Sequence, residues 1–136
     1  MKYIILLYQK EQYKFMTKLG KPVSQRQLRV GEMVKQALGM IFLRDEAKLP
    51  NLATKEITVT EVRMSQDLKV AKAFVLPLRG KNAQEIVYKL KEFSFVIRKV
   101  LSKKITMNYL PKLLFVKDES FDYAEKIENL IKQTNK

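Results

Sequence analysis

The chain has 136 residues, with 27 Lys and Arg against 14 Asp and Glu, no His, no Cys and no Trp, giving a formal net charge of +13. That inventory excludes disulfides, zinc fingers, Cys- or Ser–His nucleophile systems and an imidazole base. A hydrophobic fraction of 46% argues against disorder, and the length suits one folded domain of roughly 100–150 residues.

Residues 1–23 mix Tyr, Lys and Gln without steady periodicity and end in the helix-breaking Gly20-Lys21-Pro22. They are expected to form a flexible extension, with Met16 an alternative start that would leave residues 1–15 untranslated. The apolar run Tyr3–Tyr8 is too short for a signal-peptide core, and no stretch approaches the ~20 apolar residues of a bilayer span, so no membrane association and a cytoplasmic location are expected. From Ser24 the signals sharpen. Ser24 and Gln27 have capping-box spacing, and Val30, Met33, Val34, Ala37, Leu38, Ile41 and Phe42 recur at helical intervals, predicting a helix of about five turns that ends near Arg44. After a loop at 47–54, the β-branched run 57–64 predicts a strand whose phase slips near Thr60, as a bulge would produce. Ser65-Gln66-Asp67 forms a turn, and a second, antiparallel strand is expected from Leu68 to Leu76. Asn82 and Glu85 have N-cap and N3 character. Ile86, Leu90, Phe93, Ile97, Val100 and Leu101 then follow at helical spacing to about Lys104, interrupted at Ser94. A third strand is expected at 111–116. A last helix is expected to be capped by Ser120 and to bury Phe121, Ala124, Ile127, Leu130 and Ile131, with 134–136 a tail. The order α-β-β-α-α-β with an added C-terminal helix predicts an α+β fold with the helices on one face of a small sheet, as a single domain over 24–133.

The charge is spread through the folded body and is densest over residues 82–117, which hold eight Lys and Arg against two acids; residues 118–136 are net acidic. A strongly cationic body attracts polyanions. Lys89, Lys91, Arg98, Lys99, Lys103 and Lys104 surround the apolar stripe of the second helical run. At ~100° per residue, Lys91, Arg98 and Lys99 should face away from it and can follow a phosphate backbone, each neutralised phosphate releasing counterions. A merely solvated lysine face is the plain alternative. Arg26 at the first helix start, Arg63 and Lys69 stand at the margins of this set. Phe93 and Phe95 are expected to be core residues, with base stacking as the alternative. No phosphate-binding glycine motif is present. Enzymatic activity, a cofactor, a metal and a small-molecule substrate are not expected, and the chain should act as a monomer.

Several segments in register carry a resemblance. Arg29-Val30 opens the first helix. Val62-Arg63-Met64-Ser65-Gln66-Asp67-Leu68-Lys69-Val70-Ala71-Lys72-Ala73-Phe74-Val75 supplies a strand, a Ser-x-Asp-Leu turn and an Ala-Lys strand. Phe95-Val96-Ile97-Arg98 and Leu110-Pro111-Lys112-Leu113-Leu114-Phe115-Val116-Lys117-Asp118 complete the set. Over about residues 26–133 the chain resembles the ribosome-binding factor A family. The resemblance implies a type II KH-like fold and binding to the immature small (30S) ribosomal subunit. It also implies help with late maturation of 16S rRNA near its 5′ end, cytoplasmic location, a link to growth in the cold, and no cofactor. The family's usual Ala-x-Gly kink between the central helices is replaced here by Phe93-Ser94-Phe95, with Ser94 placed to contact RNA or to bond back to a preceding carbonyl. General single-stranded RNA binding and docking of an acidic protein are the competing functions.

Overall fold

Ser24 opens the first helix with both halves of a capping box. Gln27 N donates to Ser24 Oγ at 3.1 Å, and Ser24 N donates to Gln27 Oε1 at 2.9 Å. The Gln27 amide nitrogen also donates to the Met64 carbonyl at 3.1 Å, so one buried side chain joins the helix start to a strand end. The computed structural model describes residues 23–78 and 82–134. The elements are α1 (Gln25–Leu43), a 3₁₀ turn (Thr54–Glu56), β1 (Ile57–Met64), β2 (Val70–Pro77), α2 (Ala83–Glu92), α3 (Ser94–Lys104), β3 (Lys112–Lys117) and α4 (Ser120–Thr134). The chain divides into two compact units, Ser24–Lys117 and a second that includes α4. The expected N-terminal extension and the Met16 start lie outside the described residues.

In the first unit the three strands form a mixed sheet in the order β1-β2-β3. β1 and β2 are antiparallel, and β2 and β3 are parallel. The register of β1 slips between Val59 and Glu61. This bulge at Thr60 lets Ile57 and Val59 before it, and Val62 and Met64 after it, all face the core. Ala71, Ala73 and Val75 of β2 and Leu113 and Phe115 of β3 complete the buried sheet face. Against it pack Val34, Leu38, Ile41 and Phe42 of α1, Val87 and Leu90 of α2, and Ile97 and Leu101 of α3. The Phe42 and Phe115 rings stack with centroids 6.2 Å apart. The helix α1 lies so close to β1 that a Cβ on Gly31 would sit 2.7 Å from the Val62 carbonyl oxygen. Thr54 is buried, and its hydroxyl donates to the Phe42 carbonyl at 2.9 Å, tying the long loop to the end of α1.

Four local expectations are corrected, in whole or in part. Leu68 does not begin β2. It occupies the left-handed region (φ 61°) inside a turn, and the strand starts at Val70. Asn82 holds the N-cap position of α2 and Glu85 the N3 position, as expected, but Asn82 is in a left-handed conformation (φ 58°) and its side chain makes no capping bond. Ser120 is the first residue of α4, where its hydroxyl (2.6 Å) and its backbone N–H (2.8 Å) both donate to Asp118 Oδ1. In α4, Leu130 and Ile131 are 58% and 47% exposed, so the expected stripe does not bury them.

Candidate nucleic-acid interface

The helices α2 and α3 are separated by one residue, Phe93, at φ −98°, ψ 12°. Its N–H donates to the carbonyls of Lys89 and Lys91, and its carbonyl accepts from Ile97 N at 3.1 Å. At Phe93 the backbone therefore steps from the α region into the bridge region, while the bonds to Lys89 and from Ile97 keep the two helices joined. The half-buried Ser94 makes no side-chain hydrogen bond among the described residues, so the interruption owes nothing to a hydroxyl bonding backwards. Phe93 packs against the core, but Phe95 is 74% exposed. The expectation that both phenylalanines are core residues is corrected by the helical phase. At ~100° per residue, Phe95 and Lys99, each two residues from the buried Ile97, both lie ~160° from it and only ~40° from one another. Lys103 continues the row one turn further, so an exposed aromatic heads a line of exposed cations on α3.

The expected cationic residues fall into two groups. Four have partners within the fold. Arg98 Nη2 donates to the Leu110 carbonyl at 2.7 Å and Nε to the Pro111 carbonyl at 3.1 Å, which corrects the outward placement expected for it. Arg63 pairs with Glu61 at 3.1 Å, lies 4.9 Å from the Phe74 ring centroid, and keeps only 14% of its side chain exposed. Lys104 pairs with Glu46 at 2.8 Å and Lys89 with Glu85 at 3.6 Å. By contrast, Arg26, Lys69, Lys91, Lys99 and Lys103 are exposed and, among the described residues, form no ion pair. Lys91, Lys99 and Lys103 belong to the α2–α3 face.

Arg26 and Lys69 meet elsewhere. Both line a groove of about 550 Å³ between the start of α1, the β1–β2 turn and the loop from α3 to β3. The turn is rigidly built. Ser65 Oγ donates to Asp67 Oδ1 at 2.7 Å and accepts from Val70 N at 3.0 Å, while Lys69 N donates to the same Asp67 oxygen at 3.1 Å. The Ser65 hydroxyl is the main cause, followed by the Lys69 amide, of an Asp67 carboxyl held below its ordinary value of 3.8. On the groove's rim stands Tyr109, 84% exposed. Sequence reasoning missed it, because a lone tyrosine in an aperiodic loop, between Asn108 and Leu110, carries no signal. Among the described residues no group of three or more acids is placed to hold a metal ion, and no helix is long and apolar enough to cross a membrane.

A family model described as ribosome-binding factor A matches residues 26–131. The chain belongs to the ribosome-binding factor A family. A member from Pelagibacter ubique is 74% identical over 119 residues, covering 88% of this chain and 98% of the relative. One from Paracoccus denitrificans is 43% identical over 114 residues, covering 84% and 83%. The crystal structure of ribosome-binding factor A from Thermus thermophilus superposes with a TM-score of 0.55 at 23% identity, covering 67% of this chain and 94% of that one, which supports the α+β fold. In this member of the ribosome-binding factor A family, an exposed phenylalanine follows the helix break, and the exposed Lys99 and Lys103 share its side of α3.

Proposed function

We propose that this protein is an assembly factor that binds the immature small ribosomal subunit and assists late maturation of 16S rRNA near its 5′ end, without catalysis of its own. Membership of the ribosome-binding factor A family carries the reading, since relatives of 74% and 43% identity bear the name of a ribosome-binding factor. The element order α-β-β-α-α-β is the one a type II KH-like domain would have. A cytoplasmic monomer suits the task.

The α2–α3 face is the proposed contact. Lys91, Lys99 and Lys103 are exposed and can pair with phosphates, and Lys89 and Lys104 flank them; Ser94 and Phe95 sit at the break beside this row. Such contacts hold an RNA by its backbone and shape. Occupancy would then favour one rRNA conformer in proportion to its affinity advantage over the others. Sucrose-gradient sedimentation tests the reading: the protein should migrate with free small subunits and less with mature ribosomes. Absence from the subunit fractions at low salt overturns it.

A further inference from the structure

Arg26 and Lys69 are 43 positions apart in sequence, yet the fold sets both on the groove at the start of α1, at the opposite end of α3 from its junction with α2. Both are exposed, and among the described residues neither forms an ion pair. The groove's volume of about 550 Å³ lies in the range of clefts that take small-molecule-sized groups. Its walls include the apolar Val30, Met33 and Met107, and Tyr109 presents most of its ring at the rim. The one acid among the residues lining the groove, Asp67, has its Oδ1 committed to the Ser65 hydroxyl and the Lys69 amide. Two exposed cations, apolar walls and an exposed aromatic ring match the parts of a nucleotide: phosphates on either side and a flat, largely apolar base.

We propose that this groove is a second RNA site, which takes an unpaired nucleotide by stacking its base on Tyr109 while Arg26 and Lys69 hold the adjoining phosphates. The inference rests on the reading that the protein's partner is RNA, and it adds a contact separate from the α2–α3 face. A paired base cannot enter, because its faces are already stacked within the helix. The groove therefore selects single-stranded segments, whereas the lysine row follows any phosphate backbone.

The absence of tryptophan from the chain makes Tyr109→Trp a unique fluorescent reporter. The full-length variant is titrated with a fluorescein-labelled 12-nucleotide single-stranded RNA and, separately, with the matching duplex. Tryptophan emission reports the groove, and fluorescein anisotropy reports binding anywhere. Single-stranded RNA should quench the tryptophan and the duplex should not. Arg26→Ala with Lys69→Ala, in a protein whose unfolding midpoint is unchanged, should flatten the slope of log affinity against log salt by about 1.4. Tyr109→Ala should weaken single-strand binding about fivefold or more and leave duplex binding alone. Unquenched tryptophan with rising anisotropy overturns the groove assignment and leaves the α2–α3 reading standing. Loss of anisotropy in Lys99→Glu with Lys103→Glu, the tryptophan never having responded, overturns it in the same way. Quenching by polyglutamate but not by RNA assigns the groove to an acidic protein and overturns the proposal. If no RNA binds the wild-type protein at low salt, both fall.

Discussion

Arg98 reaches from the middle of α3 to the carbonyl of Leu110, 2.7 Å from its Nη2, and with Nε it takes the next carbonyl, that of Pro111. These two bonds fix the loop that enters β3, and a planar fork is needed to make both. Arg98→Ala should therefore cost about 1–3 kcal/mol of stability, as loss of charge-assisted hydrogen bonds does. Arg98→Lys should recover only part of it. Chemical denaturation measures both. Lys99→Glu, one residue on, should leave the unfolding midpoint nearly unchanged and weaken RNA binding, which separates a residue that holds the fold from one that faces the partner.

Two glycines on one helix make a controlled pair. A Cβ at Gly31 would approach the Val62 carbonyl oxygen to 2.7 Å, a backbone atom that cannot swing aside, whereas one at Gly39 meets nothing within 4 Å. Gly31→Ala should push α1 off β1 and destabilise by about 1–3 kcal/mol, as overpacking does. Gly39→Ala should stabilise by up to ~1 kcal/mol through helix propensity. Thermal unfolding of the two variants should move in opposite directions.

Much of this fold was legible in the residues, and the reasons differ by element. The capping box at Ser24 and Gln27 and the bulge at Thr60 were readable because each is local: a spacing of three residues in one case, a slip of the two-residue alternation in the other. Periodicity also marked the interruption near Ser94. It placed Phe93, and not Phe95, among the residues at helical spacing; what it did not show was that the phase would carry on unchanged across the break. Arg98 was harder. It lies only ~60° around the helix from the buried Leu101, on the edge of the stripe, and no periodicity shows that two loop carbonyls wait beside it. The meeting of Arg26 and Lys69 was invisible for a related reason, because it needs the sheet register and the helix packing together.

The Asp67 carboxyl gives a pH-dependent observable. Its folded value is depressed, first by the hydrogen bond from the Ser65 hydroxyl and then by the Lys69 amide. A depressed acid contributes stability that is present above its unfolded value of 3.8 and is lost as pH falls through the lower folded value. The Lys69 amide should therefore stay protected from hydrogen exchange below pH 3.8 before it loosens. Ser65→Ala should raise the Asp67 midpoint, followed through its side-chain carbonyl carbon by NMR. A midpoint that does not move would mean that the hydroxyl is not what holds the carboxylate.

Phe93 and Phe95 are two residues apart, and the helical phase sends them to opposite environments. Phe93 packs against the core, so Phe93→Ala removes buried apolar area and leaves a void; a cost of about 2–4 kcal/mol is expected. Phe95 is 74% exposed, and an exposed ring contributes little to stability, so Phe95→Ala should leave the unfolding midpoint within about 0.5 kcal/mol of wild type. Retaining a large apolar ring in water, in line with Lys99 and Lys103, gives the fold nothing. It gives an RNA partner a surface on which a base can stack, worth about 1–3 kcal/mol. Binding of Phe95→Ala to immature small subunits should accordingly weaken about fivefold or more, while Phe95→Tyr should bind as wild type does. Equal subunit affinity for Phe95→Ala and wild type would show that the α3 row acts through its lysines alone.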